Sequence, residues 1–319
     1  MIHPVDHAAG LVVRNGPARL RFFSQGWGDE TLLEPPDLSS SPVPAIHPAW
    51  VTKEYVSNGH LMRYGTFEVP DLGLPPRSRR GSVVSIEPPH PHTRIVMLMA
   101  AWNEHDPKVR IAIGHLLAER NIASVIPENP FYGSRHPNPQ FDQPIRTVSD
   151  FMQMGIAAVT EARGILTGLV DPGHQLGVSG YSMGGNVAAI ISATSDFPLA
   201  TAPLAASHSP APVFLDGVLR GGIAWDALGS ESEAPRLRSV LNSVSVLNVP
   251  APRHADRAVI VGGRTDGYIP ETATRALADH WQGSELRMLR GGHATMVWYR
   301  KAELADAIVD SFDRMYGDS

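Results

Sequence analysis

The segment HQLGVSGYSMGGNV (174–187) holds a serine, Ser182, within a run of small residues. The apolar residues before this serine indicate a strand, and the spacing after it indicates a helix. A sharp strand-to-helix turn lifts a serine hydroxyl clear of the sheet, which is the geometry of a nucleophile elbow. Gly180 and Gly184 stand where larger side chains would crowd such a turn. The segment therefore predicts Ser182 as a nucleophile.

A serine hydroxyl attacks well only when a base takes its proton and an acid orients that base. In the strand–turn–helix setting, the acid and the base follow the serine in chain order. RAVIVGGRTDGYIP (257–270) places Asp266 after one apolar strand, and SELRMLRGGHAT (284–295) places His293 after the next. Parallel strands end at one edge of a sheet. We therefore expect Ser182, His293 and Asp266 to meet there.

Other acidic and imidazole side chains fit these roles less well. Asp256 precedes its strand, Asp226 falls in an insertion, and His280 lies on a helix. The pair His90 and His92 has a metal-like spacing, but its segment offers no third ligand, so no metal site is predicted.

Acyl transfer also needs two N–H donors aimed at the developing oxyanion. The backbone N–H of Met183, directly after the serine, is one candidate. The other is expected in the loop after the strand RIVMLMAAW (94–102), where Ala101 is small enough for a bend and Trp102 follows it. We predict that Trp102 donates its backbone N–H and that its indole walls the pocket. Glu104 and His105 either form a pair near the site or solvate the loop.

Four further residues are candidates for contact with a substrate. Phe131 and Tyr132 follow a strand in PENPFYGSR (127–135), and Tyr181 lies inside the elbow. His208 also follows a strand. A structural histidine is favoured there over a second base, and we include it among the residues that border the substrate.

The elements that must position these residues alternate along the chain. RYGTFEVP and GSVVSIEP read as antiparallel strands, and strands then alternate with helices, including one over 148–169 and a single closing helix over 295–316. This order predicts an α/β fold, a mostly parallel twisted sheet with helices on both faces. We expect an irregular arm over 1–60, a core over 61–207 and 257–319, and a helical lid over 208–256.

Composition narrows the classes of function. With 43% apolar and 18% charged residues, a chain of 319 residues can bury a large core. The net charge of −5 and the lack of a basic run argue against nucleic acid as a partner. No cysteine is present, so the sequence offers neither disulfides nor thiolate metal ligands. The first residues lack the pattern of a secretory signal and no apolar run could span a bilayer, so a cytoplasmic protein is expected.

Several motifs together resemble the α/β-hydrolase domain-containing 18-like family, formerly a domain of unknown function. They are NIASVIPENPFYGSR, VSDFMQMG, GVSGYSMGGNVAAI and SHSPAPVFLDGVLRGGIAW. The resemblance implies an α/β-hydrolase fold, a serine nucleophile at Ser182 and, for a eukaryotic relative, action on phospholipid acyl esters. The family tends to have a Gly-Thr-Gly-Asp-like turn after its first core strand, where this chain has AWNE (101–104).

The sequence thus predicts a serine hydrolase that cleaves carboxylic esters through an acyl-enzyme, with an acyl ester substrate and no metal or organic cofactor. An amidase or peptidase of the same fold and a non-catalytic binding module are the alternatives. The sequence leaves open whether the chain forms a homo-oligomer.

Overall fold

The computed structural model describes residues 2–16, 21–38, 43–69, 71–138 and 143–317. Over these residues, nine strands form one sheet in the order β1-β2-β3-β5-β4-β6-β7-β8-β9. The strands are β1 Ala49–Ser57, β2 His60–Glu68, β3 Arg80–Glu87, β4 Arg94–Met99, β5 Ile122–Pro127, β6 Gln175–Tyr181, β7 Ala200–Leu204, β8 Val259–Gly263 and β9 Glu285–Leu289. β1, β2, β3 and β5 pair antiparallel, and the ladder from β5 through β9 is parallel.

Helices cover both faces of this sheet. They are α1 Pro4–Asn15, α2 Lys108–Ala118, α3 Val148–Leu169, α4 Met183–Thr194, α5 Pro210–Leu215, α6 Trp225–Leu228, α7 Ala234–Ser243, α8 Glu271–His280, α9 His293–Tyr299 and α10 Lys301–Tyr316. The predicted α/β fold with a mostly parallel, doubly covered sheet is confirmed. Among the described helices, none combines the length and apolar character needed to cross a membrane.

The two layers explain why β4 reads as an unbroken apolar run. Val96 packs into the layer that contains α2 and α10, whereas its neighbour Met97 packs into the layer that contains α3, α4 and α8. Both side chains are fully buried. A strand covered on both faces has no polar side, so it shows no period-two alternation.

Helix α3 begins where the sequence pattern predicts, and its start is capped. Thr147 Oγ1 accepts from the backbone N–H of Asp150, and the Asp150 carboxylate accepts from the N–H of Thr147. This reciprocal pair satisfies two N–H groups that the first turn leaves without helical partners.

The predicted irregular arm over 1–60 is wrong for two segments. Residues Pro4–Asn15 form helix α1, with Pro4 in its first turn and a His3 ring nitrogen that accepts from the N–H of Val5. Residues Ala49–Ser57 form β1, which pairs with β2 at the edge of the sheet. The sequence pattern does not reveal α1 and β1, because each is short and prolines lie nearby. Both elements depend on packing against other segments for their stability.

The single closing helix over 295–316 is also wrong. The helix begins earlier, at His293, and breaks at Arg300, whose φ of −119° and ψ of 22° are not helical. The break at Arg300 divides the segment into α9 and α10, which make different contacts. Helix α9 borders the site described below, whereas α10 packs its apolar face against the sheet through Ile308 and Phe312.

Residues 208–256 contain α5, α6 and α7. Their apolar side chains join a third cluster in which Leu237 and Leu241 of α7 are buried together with Phe22 and Phe23 of the N-terminal region. The same cluster includes residues of α3. This segment between β7 and β8, called the insertion below, therefore packs through apolar contacts against both α3 and the N-terminal segment.

A buried ion pair anchors the loop after β5 to α3. Arg135 donates to both oxygens of Glu161 at 2.6 and 2.7 Å, and the two side chains are 0% and 3% exposed. Arg135 also donates to the carbonyls of Ser78 and Glu128. The pair thus joins three segments around Glu161, in the C-terminal half of α3.

We predict that Glu161→Gln lowers the free energy of unfolding by about 3–5 kcal/mol, because it leaves the Arg135 charge buried without its counter-charge. The matched control is Asp216→Asn, which breaks the half-exposed pair of Asp216 with Arg238 and should cost less than about 1 kcal/mol. Urea unfolding measures both. Equal effects would contradict the assigned role of the buried pair.

Candidate active site

Ser182 lies on the sharp turn between β6 and α4. Its φ of 59° and ψ of −119° belong to a region that residues with a side chain rarely adopt. Its backbone N–H donates to the Leu204 carbonyl at 2.8 Å. A Cβ on Gly180 would lie 2.5 Å from the Gly184 carbonyl, and a Cβ on Gly184 would lie 2.3 Å from the Met99 carbonyl. The two glycines therefore allow the turn to form against the end of β4.

Ser182, His293 and Asp266 form one chain of hydrogen bonds. His293 Nε2 lies 2.9 Å from Ser182 Oγ, and His293 Nδ1 lies 2.7 Å from Asp266 Oδ2. A carboxylate can only accept, so the imidazole proton resides on Nδ1 and leaves Nε2 free to accept from the serine hydroxyl. The structure brings together the three side chains that the sequence pattern selected. Each follows the carboxyl end of a parallel strand: β6, β8 or β9.

The Asp266 carboxylate is held in a fixed orientation. Its Oδ1 accepts from the N–H groups of Tyr268 and Ile269 at 2.8 and 2.9 Å, which leaves Oδ2 directed at His293. The Asp266 side chain is 1% exposed and the His293 side chain 12% exposed. Solvent therefore screens this carboxylate–imidazole contact only weakly.

Two tyrosines enclose the imidazole. The Tyr268 ring stacks on His293 with a centroid separation of 4.7 Å and an interplanar angle of 23°. The Tyr181 ring lies 5.1 Å away, and its hydroxyl donates to the His293 carbonyl. Burial raises the pKa of both phenols, and the nearby Asp6 and Asp266 carboxylates raise it further. Both phenols therefore stay neutral, and the Tyr181 hydroxyl acts as a donor.

A cavity of about 620 Å³ opens beside Ser182. Its lining includes Ser182 and His293 together with Ala101, Trp102, Tyr181 and Met183, all of which the sequence analysis selected. Most other lining residues are apolar. From α3 they include Phe151, Met152, Met154 and Val159, from α4 Val187 and Ile190, and from the insertion Val213, Phe214, Leu219 and Val244.

Glu104 and Arg110 hold the loop after β4 in place. Glu104 Oε2 accepts from the backbone N–H of Ala101 at 3.2 Å, and Glu104 Oε1 accepts from Arg110 Nε at 2.6 Å. Arg110 in turn donates to the carbonyls of Leu98 and Pro127. The Ala101 N–H is thus already engaged, and the next backbone N–H along the loop belongs to Trp102. Glu104 therefore pairs with Arg110, and this ion pair shapes the loop. His105 Nε2 lies 3.0 Å from Asn103 Oδ1, so the pair of Glu104 with His105 that was considered from the sequence is not formed.

The Trp102 indole sits among aromatic rings at the cavity wall. Its ring centroid lies 5.5 Å from those of Phe151 and Phe214 and 6.0 Å from that of Phe22. These contacts fix where the backbone of Trp102 stands relative to the elbow.

Three sequence-selected residues do not line the cavity. Phe131 and Tyr132 are fully buried in the third apolar cluster, and the backbone at Phe131 has a φ of 70°. His208 directs Nδ1 to Ser245 Oγ at 3.0 Å, a contact within the insertion, and burial lowers its pKa. All three support the surroundings of the cavity and do not border it. The structure thus places these three residues outside the lining of the cavity.

The rejected acids and histidines lie elsewhere. His280 Nε2 donates to the Val249 carbonyl, and Asp226 is exposed. Asp256 precedes β8 and pairs with Arg257. In the part of the chain that the structure describes, no group of three or more His, Cys, Asp or Glu side chains is arranged to hold a metal.

Sequence reasoning missed Asp6 and Tyr268 as neighbours of the site. Asp6 accepts from the backbone N–H of His293 at 2.6 Å, although 287 positions separate them in the chain. A weak signal existed, since Gly267 and Gly292 directly follow and precede the selected residues, and glycine often marks a close approach of backbone. Nothing in the sequence states which segment approaches.

Comparisons with known proteins agree with this architecture. A family model described as alpha/beta hydrolase domain containing 18 matches residues 20–246 and 229–314, which together extend over most of the chain. The resemblance stated from the motifs is thereby confirmed.

Solved structures with a similar fold include several hydrolases. A cold-adapted esterase from an Arctic intertidal metagenomic library superposes with a TM-score of 0.53 at 16% identity, over 84% of this chain and 99% of the esterase. The acylaminoacyl peptidase of Pyrococcus horikoshii gives 0.56 at 11% identity, over 86% of this chain and 43% of the peptidase. A 2,6-dihydroxy-pseudo-oxynicotine hydrolase gives 0.52 at 14% identity, over 98% of this chain and 82% of that protein. At these identities the likeness shows the fold alone.

The backbone of Ser182 yields a prediction about stability. Ser182→Gly should raise the free energy of unfolding by about 1 kcal/mol relative to Ser182→Ala, because glycine relieves a positive-φ strain of about 1–3 kcal/mol and loses part of that gain to its greater freedom when unfolded. Both variants remove the hydroxyl, so the difference between their free energies of unfolding reports the backbone strain at residue 182. Urea unfolding of the two variants provides the measurement, and an alanine variant as stable as the glycine variant would contradict the strain.

Proposed function

We propose that this chain, which belongs to the alpha/beta hydrolase domain containing 18 family, is a serine hydrolase that cleaves carboxylic esters through an acyl-enzyme on Ser182. The observation that carries the proposal is the hydrogen-bond chain from Ser182 Oγ through His293 to Asp266, with contacts of 2.9 and 2.7 Å. Such a chain supplies a nucleophile, a base and an orienting carboxylate in one place.

In the proposed reaction, Ser182 Oγ attacks the ester carbonyl while His293 Nε2 takes the hydroxyl proton. The new bond joins Oγ to the carbonyl carbon, and the carbonyl oxygen carries the negative charge. His293 then delivers the proton to the leaving alcohol as the ester C–O bond breaks. Water, deprotonated by the same nitrogen, then attacks the carbonyl carbon of the acyl-enzyme. The bond from that carbon to Ser182 Oγ breaks, His293 returns the proton to Oγ, and the acid is released. Asp266 stabilises the imidazolium that forms in each half of the reaction.

The oxyanion is assigned to the backbone N–H groups of Met183 and Trp102. Met183 is the first residue of α4, so its N–H points out of the helix N-terminus, where the helix dipole also favours negative charge. Trp102 follows Ala101, whose own N–H is bound to Glu104. Both donors border the cavity beside Ser182.

The cavity supports an apolar acid portion of the ester. Its walls carry aliphatic and aromatic side chains from α3, α4 and the insertion. The insertion over 208–256 supplies part of this wall and is proposed to act as the lid over the acyl group. Burial of each additional methylene of an acyl chain there would contribute about 0.8 kcal/mol.

The experiment that tests the function combines a probe and a substrate panel. Wild-type protein should label with a fluorophosphonate and hydrolyse p-nitrophenyl esters, whereas Ser182→Ala should do neither. Ser207→Ala is the matched control, because Ser207 also lines the cavity but is not bonded to an imidazole, and it should label normally.

The other outcomes separate the alternatives. Labelling that survives Ser182→Ala would remove Ser182 as the nucleophile. Faster turnover of p-nitroanilides than of p-nitrophenyl esters would make the protein an amidase. A folded wild-type protein that neither labels nor turns over any acyl substrate would be a non-catalytic module.

A second prediction concerns the depth of the acyl pocket. Gly155 on α3 lines the cavity, and a Cβ built there meets no atom within 4 Å. Gly155→Phe should therefore enter the cavity and lower kcat/KM for a p-nitrophenyl decanoate by at least about tenfold, the cost of two methylenes at ~0.8 kcal/mol each. The acetate ester should be hydrolysed as before.

Gly155→Ala is the control, since it raises helix propensity but adds little volume. It should leave the ratio of decanoate to acetate activity unchanged. An equal loss on both esters in the phenylalanine variant would contradict an acyl chain at this wall.

A further inference from the structure

We propose that Asp6 of helix α1 is a positioning residue, which sets the loop that carries His293 against the loop that carries Asp266. The proposal rests on the proposed function, because it assigns a role within the same reaction. Asp6 does not touch the reacting atoms, and it acts through the backbone of the two loops.

The Asp6 carboxylate binds both loops at once. Its Oδ2 accepts from the N–H of Gly267 at 2.9 Å and from the N–H of His293 at 2.6 Å, and its Oδ1 accepts from the N–H of Ala294 at 3.2 Å. Gly267 directly follows Asp266. One oxygen therefore joins the residue after the proposed acid to the proposed base itself.

The side chain is enclosed, so these contacts are strong. Asp6 is 0% exposed. Hydrogen bonds to a carboxylate are about twice as strong as those between neutral groups, and a buried one is poorly screened. Loss of the acceptor would leave three N–H groups beside the site without this partner, each at a cost comparable to a lost hydrogen bond.

Glycines on both loops make room for the approach. A Cβ on Gly292 would lie 2.4 Å from the Cβ of His3 and 2.6 Å from Asp6 Oδ2, and a Cβ on Gly267 would lie 2.9 Å from the Cβ of Asp6. Glycine at 267 and 292 thus serves the contact with α1. The backbone N–H of His3 also donates to the Thr265 carbonyl at 2.9 Å, which ties the start of the helix to the acid loop.

The two loops have other connections, and they lie nearer the sheet. Arg264 N–H donates to the Leu289 carbonyl at 2.9 Å, and Thr265 N–H donates to the Gly291 carbonyl at 3.3 Å. These bonds join the loops where they leave β8 and β9. Asp6 joins them two or more residues further on, at the level of the Nδ1–Oδ2 contact. The carboxylate therefore controls the separation that decides whether His293 reaches both its partners.

Asp6 is not a substitute for the orienting acid. The Nδ1 atom of His293 is already bonded to Asp266 Oδ2, and Asp6 binds the backbone of His293. Removal of Asp6 should consequently impair the placement of the imidazole without abolishing the reaction.

The test compares Asp6→Ala and Asp6→Asn in the full chain. The alanine variant removes all three acceptor contacts, and we expect kcat for a p-nitrophenyl ester to fall on the order of 10²-fold, the effect of a misplacement of about 1 Å. The asparagine variant keeps one acceptor oxygen and should lose on the order of tenfold. KM should change less than about threefold in both, because substrate binding by the apolar cavity is retained.

Each kcat is expressed per site, with sites counted by fluorophosphonate titration at saturation. This readout removes a merely structural effect, since partly unfolded protein lowers the number of sites and leaves kcat per site unchanged. Val12→Ala is the matched control. Val12 is 65% exposed on the same helix, so the variant shortens a side chain of α1 while it leaves the carboxylate and its contacts in place, and kcat per site should stay near that of the wild type.

Wild-type kcat per site in both Asp6 variants would overturn the inference, as would an equal loss in Val12→Ala. Failure of the proposed function gives a different result, in which wild-type protein itself neither titrates nor turns over the ester. The rate of fluorophosphonate labelling keeps the test informative for any acyl substrate, because it too depends on the contact between Ser182 and His293.

Discussion

The site depends on the convergence of parallel strands at one edge of the sheet. Strands β6, β8 and β9 all end there, so residues 111 and 27 positions apart lie within hydrogen-bond distance. Apolar packing on both faces holds the strands in register. Ser182, Asp266 and His293 each lie within four positions of the end of their strand, so little freedom separates them from the sheet. Any polar group that projects from this edge is therefore placed by the sheet.

Three polar contacts near that edge are held by further hydrogen-bond partners. Asp266 is held by two backbone N–H groups, and the loop after β4 is held by Glu104 and Arg110. Helix α1 contributes Asp6 in the same manner. In a poorly solvated environment an unpaired donor or carboxylate is costly, so these secondary contacts decide the orientation of the groups in front of them. The strained turn at Ser182 persists because the surrounding contacts over-determine it.

The cavity has a different origin. It lies between α3, α4 and the insertion, where side chains from three segments face one another across about 620 Å³. The aromatic contacts of Trp102 with Phe151 and Phe214 tie the loop after β4 to α3 and to the insertion. Trp102 therefore links the apolar cavity to the edge of the sheet at which Ser182 lies.

The sequence by itself determined the fold class, the helix over 148–169, the elbow at Ser182 and the pairing of that serine with His293 and Asp266. Each of these rests on a local pattern, whether hydrophobic period, glycine spacing or position after a strand. Only the tertiary structure decided that Phe131, Tyr132 and His208 lie outside the lining of the cavity, that the closing helix breaks at Arg300, and that Asp6 reaches the site. Side-chain direction in a loop depends on single backbone dihedrals, and the contact of Asp6 with His293 spans almost the whole chain. No local period in the sequence encodes either quantity, because both are set by how distant segments pack.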